Sequence, residues 1–110
     1  MSKDFIIPAD LSDFAKKIAR RIINVADNSI DPICGGGCRA FYSPESWEQR
    51  GESYGKGSLL VVVHDGGDLA PYFNHDYECY PAVEEMDNAL SKLGAYAEQC
   101  TSWYTAIYLR

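Results

Sequence analysis

His64-Asp65-Gly66-Gly67-Asp68 runs on to Tyr80, and residues 64–80 hold both histidines of the chain, four carboxylates and four aromatic rings. His64, Asp65, Asp68 and His75 are side chains of the kind that bind a divalent metal through nitrogen and oxygen. The same set could serve as a base oriented by a carboxylate, the arrangement that acid–base hydrolysis needs. Neither chemistry has a matching signature, because the spacing fits no His-Glu-x-x-His motif. Asp-Gly-Gly also builds turns without any ligand, since glycine permits positive φ and aspartate bonds its own backbone. A metal-dependent hydrolase on these four residues is therefore the alternative reading.

The stretch reads better as a surface that presents side chains. Tyr72, Phe73 and Tyr77 interleave with Asp76 and Glu78, and Asp65 and Asp68 precede them. Tyrosine and phenylalanine bring large contact area at low entropic cost, and carboxylates around them steer a basic partner into place. These seven residues are the expected partner-binding set. Glu84, Glu85 and Asp87 follow them in sequence, and Glu45, Glu48 and Glu52 precede them.

Charge distribution supports the same reading. The net charge of −6 is concentrated in residues 45–98, which carry eleven acids and three bases. That sign repels nucleic acid and anionic lipid, so a basic protein surface is the expected partner, with neither nucleic acid nor membrane bound directly. No phosphate loop, dinucleotide fingerprint or nucleophile elbow occurs. No catalytic residue and no cofactor are assigned.

Four cysteines remain. Cys34 and Cys38 flank three glycines, while Cys79 and Cys100 lie far downstream. A zinc- or thiol-stabilised domain on these four is a third reading, though the second close pair of a zinc knuckle is missing. The opening residues, Met1 to Phe5, lack a charged segment leading into an apolar run, which points to a cytoplasmic, reducing environment and free thiols.

The elements that would position these groups follow from periodicity. Residues 9–26 repeat apolar side chains at helical spacing, with Asp10 near the start and Lys16, Lys17, Arg20 and Arg21 on the opposite face. Residues 39–42 suggest a short strand. Ser43-Pro44-Glu45 opens a short helix containing Trp47, with Ser43 as its N-cap. Residues 58–63 form a strand whose run of apolar residues predicts cover on both faces. Residues 64–74 read as irregular loop, and residues 81–93 as a helix ended by Gly94. Residues 95–100 and 103–108 form a hairpin turning near Thr101. The sum is a single α+β domain over residues 1–110: a three- to four-stranded, mostly antiparallel sheet with two or three helices on one face and tyrosines on the other.

In size, acidity and tyrosine content the chain resembles the small acidic single-domain proteins of phages and plasmids. Many of those block host defence, in the anti-CRISPR or anti-restriction manner, by binding a nuclease or a nucleic-acid-binding complex. The resemblance implies an inhibitor acting through the acidic surface and carries no residue-level motif.

Overall fold

The structure, a computed structural model, describes residues 7–27, 41–51, 54–55, 57–64 and 69–110. Among the described residues, four helices and four strands follow in the order α1 (Asp13–Asp27), β1 (Phe41–Tyr42), α2 (Pro44–Gln49), β2 (Leu60–Val63), α3 (Ala70–Phe73), α4 (Tyr80–Lys92), β3 (Ala95–Gln99) and β4 (Tyr104–Leu109). A short 3₁₀ turn, His75–Tyr77, joins α3 to α4. The strands form one sheet in the order β1-β2-β4-β3, antiparallel at every junction. This is an α+β fold.

Alternation along the strands divides the interior into two compartments. Leu60 and Val62 of β2, Ala95 of β3 and Ile107 of β4 point to one face, where α1, α3 and α4 cover them. Helix α1 contributes Ala15, Ile18, Ala19, Ile22, Val25 and Ala26, all buried, the stripe that its 3.6-residue period predicts. Each large apolar side chain sealed there stabilises the fold by about 1.5–3 kcal/mol. Val61 and Tyr104 point to the other face, where Trp47 of α2 closes a smaller cluster. Strand β2 is thus covered on both sides, as its unbroken apolar run requires.

Trp47 is the hub of that second cluster. Its ring lies 4.9 Å from Tyr104, 5.0 Å from Tyr42 and 5.7 Å from Trp103, centroid to centroid. The Arg50 guanidinium sits 4.9 Å above it, one turn along, and completes the cover. Beyond it, Tyr96 and Tyr108 stack at 5.6 Å on neighbouring strands. The tyrosine-bearing face expected from the alternation of β4 is therefore present, but much of it is a packed second core.

Local signals set the ends of the elements. Ser43 Oγ accepts the Ser46 N–H at 3.1 Å, with Pro44 opening α2. At α1 the capping oxygen belongs to Ser12, which accepts the Ala15 N–H at 3.1 Å. Asp10, expected near that cap, instead accepts hydrogen bonds from the hydroxyls of Ser43 and Ser46, tying the start of α1 to the start of α2. Gly94 takes φ +83° at the end of α4, a conformation that costs glycine little. The segment expected as loop holds a further element: Pro71 starts the one-turn helix α3. Among the described residues, no helix is long and apolar enough to cross a membrane.

Candidate partner-binding surface

The 3₁₀ turn is fastened to the sheet by two amide side chains. Asn74 Oδ1 accepts the Asp76 N–H at 3.0 Å and the Gln99 Nε2–H at 3.1 Å. Asn74 Nδ2 donates to the Ser102 carbonyl at 2.9 Å. Gln99 Oε1 in turn accepts the His75 N–H at 3.2 Å, and Gln99 Nε2 also reaches the Thr101 carbonyl at 3.1 Å. Sequence reasoning did not single out either residue. The available signal was Asn74 itself, an asparagine directly before a turn with acid in its first positions.

The turn leaves through Glu78, which takes the left-handed conformation at φ 56° while its N–H bonds the His75 carbonyl at 3.1 Å. A non-glycine residue in this region carries a backbone cost of about 1–2 kcal/mol. The result is that Asp76 and Glu78 are exposed side by side in sequence around a half-buried Tyr77. Tyr80, at the start of α4, is 63% exposed. Glu84 follows it one turn later, and Glu84, Glu85 and Asp87 are all exposed.

Of the seven residues expected to meet a partner, Asp76, Tyr77 and Glu78 are brought together here. Tyr72 and Phe73 are not on this surface. Both are buried, because α3 turns their rings into the main core: Tyr72 packs against α1 with its hydroxyl directed at the Val25 carbonyl, and Phe73 stacks on His64 at 5.8 Å. Their apolar area belongs to the fold. Asp65 and Asp68 lie outside the described residues.

The alternative metal set is divided in the same way. His64 is 1% exposed, and its Nε2 lies 2.9 Å from Thr105 Oγ1, so it joins the end of β2 to β4 inside the core. His75 is exposed on the turn. Among the described residues, no three histidine, cysteine, aspartate or glutamate side chains gather as a metal site. Cys79 and Cys100 are free thiols, while Cys34 and Cys38 lie outside the described residues. Cys100 Sγ is directed at the Glu98 carbonyl, and partial burial raises its pKa above the ordinary thiol value.

Electrostatically, the helix layer has two signs. Of the four bases expected on the face of α1 opposite its apolar stripe, Lys17, Arg20 and Arg21 are exposed and Lys16 is half-buried. Arg21 and Glu85 line one groove between α1 and α4. The acidic region is therefore the far side of α4 and the 3₁₀ turn rather than the whole layer. Partial burial raises the Asp87 pKa above its ordinary value, and the nearby charges of His75 and Arg110 offset part of that rise.

Comparison with protein-family models, with curated proteins and with solved structures gives no match.

Proposed function

We propose that this chain is a non-enzymatic binding protein that docks the surface formed by Asp76, Tyr77, Glu78, Tyr80 and Glu84 on a basic protein partner. The carrying observation is the 63% exposed Tyr80 ring, which follows the exposed Asp76 and Glu78 of a turn held by Asn74 and Gln99 and precedes the exposed Glu84 by one helical turn. A large exposed aromatic at a fixed position is the usual energetic centre of an interface, and surrounding charges supply rate and selectivity. A turn already fixed by hydrogen bonds loses little further entropy on docking. The partner class with the complementary chemistry is a protein whose basic groove serves phosphates, such as a nuclease or a nucleic-acid-binding complex, with the chain acting as its inhibitor.

The test replaces Asp76, Glu78 and Glu84 by lysine in one variant and Tyr80 by alanine in another. Glu45 and Glu48, exposed on α2, are reversed as a control. Retention of a specific basic partner from host lysate should fall for the first two variants and persist in the control. Nuclease activity of the purified partner, measured with and without the chain, then decides the inhibitory role. Equal retention by all variants would refute the assignment of this surface.

A further inference from the structure

The two edges of the sheet differ. Strand β1 has two described residues, Phe41 and Tyr42, whereas β3 has five and no proline, lysine or bulge to blunt it. The ladder shows which backbone groups of β3 remain outward. Arg110 N–H bonds the Gly94 carbonyl at 2.8 Å and Cys100 N–H bonds the Tyr104 carbonyl at 3.1 Å, marking its two ends. With antiparallel parity, Tyr96 and Glu98 turn their amides to β4, and Ala95, Ala97 and Gln99 turn theirs away. The Arg110 side chain closes the first of these positions, its Nε directed at the Ala95 carbonyl at 3.4 Å. Beside the rest lies an open groove of about 570 Å³ lined by Asp87, Tyr96, Ala97 and Arg110.

We propose that β3 accepts an extended, basic segment of the partner protein as a fifth strand, paired to Ala97 and Gln99. This rests on the acidic-surface reading above and names how the partner is held. A strand added at this edge alternates its side chains between the two faces. Those on the helix side run into the groove, where Asp87 receives a lysine or arginine. Those on the other side pass the exposed Glu98 and the Tyr96 ring, which is 39% exposed. Small Ala97 leaves the centre of the edge uncrowded. Charge selects this occupant over a second copy of the chain, because two chains of −6 repel as their edges approach.

The probe is a blocked hexapeptide of alternating lysine and valine, titrated into the isotope-labelled chain and followed by amide NMR. The expected result is movement of the Ala97 and Gln99 amides, with no such movement for a glutamate–valine peptide. Ala97→Pro deletes an outward N–H that β4 does not use, at an edge position where proline is tolerated, and should weaken the peptide about tenfold. Asp87→Lys should weaken it too. N-methylation of alternate peptide amides should abolish binding to the unaltered chain, which keeps the test decisive if Ala97→Pro does not fold. Binding that survives N-methylation, or leaves the Ala97 amide unmoved, overturns the proposal. So does dimerisation of the chain alone that Ala97→Pro disrupts, since the edge then belongs to a second copy. If Ala97→Pro retains the lysate partner and the Asp76/Glu78/Glu84 reversal loses it, the fifth strand is refuted and the acidic-surface reading stands.

Discussion

Gln99 Nε2 donates to Asn74 Oδ1 across 3.1 Å, and through this contact the last residue of β3 holds the turn that carries Asp76 and Glu78. The two residues are 25 apart in sequence. Between them they satisfy the backbone N–H groups of both His75 and Asp76, so the shape of the turn depends on the sheet and not on its own residues alone.

Gln99→Ala removes the partner of the His75 N–H and one of the partners of Asn74. The expected loss is about 1–2 kcal/mol in urea unfolding. A more specific readout is hydrogen exchange, in which the amides of His75 and Asp76 should lose protection while those of β2 keep theirs.

Trp47→Ala empties the centre of the smaller core. Truncation of a fully buried indole with three aromatic neighbours should cost about 3–5 kcal/mol. Arg50→Ala uncovers the same ring and should cost only about 0.5–1 kcal/mol, the scale of an exposed cation–π contact. Thermal unfolding of the two variants orders them, and a larger effect for Arg50 would place the stabilisation in the charge and not in the packing.

Gly51 and Gly55 share a positive φ, +85° and +87°, but differ in surroundings. A Cβ at Gly51 meets open space, while one at Gly55 would stand 3.2 Å from Val61 Cγ2. Gly51→Ala should therefore cost about 1–2 kcal/mol of backbone strain alone. Gly55→Ala should cost roughly 1 kcal/mol more, because the neighbour belongs to the central strand and yields little. Comparison of denaturation midpoints separates the two contributions.

Alkaline pH should weaken the fold through Cys100 and Tyr108. Burial is the main cause of the rise in both, and Tyr108 is raised further by Cys100, Glu98 and Tyr96. A raised folded pKa means that the native state holds the proton more tightly. Stability is therefore complete below the ordinary pKa values and declines as pH rises through them towards the folded ones. Chemical denaturation from pH 7 to 11 should show that decline, and Cys100→Ser with Tyr108→Phe should flatten it. Alkylation of Cys100, followed by peptide mass, should also have its midpoint above that of a free thiol.

Periodicity made much of the fold readable. The stripe of α1, the Ser43-Pro44 start of α2, the two-sided burial of β2 and the Gly94 stop were all local signals. So was the alternation that sends Tyr104 and Tyr108 to one face and Ile107 to the other. The site was less legible because exposure is a property of tertiary direction. Tyr72 and Phe73 are aromatic residues among acids, as Tyr77 and Tyr80 are, yet the one-turn helix that contains Pro71 points the first pair inward. Similarly, His64 resembled a ligand in sequence, but its place at the end of a buried strand sets it beside Thr105. Asn74 and Gln99 escaped notice because their partnership spans the chain and has no period.

Strand β2 pairs directly with β4, from Leu60↔Ile107 to Val63↔Tyr104. Everything between them, residues 64–103, is a closed excursion whose neck is that ladder, and the acidic turn, α4 and the β3 edge all lie on it. Its ends meet only when residues more than 40 apart have found each other, so closure is an early entropic toll of folding. Cut free of β2 and β4, the excursion has no neck, and β3 loses the strand it pairs with, so the Gln99–Asn74 contact alone is left to place the turn. Under the proposed function, a partner that grips this surface would select the folded chain, and cleavage at the neck would disarm the surface without touching a residue of it.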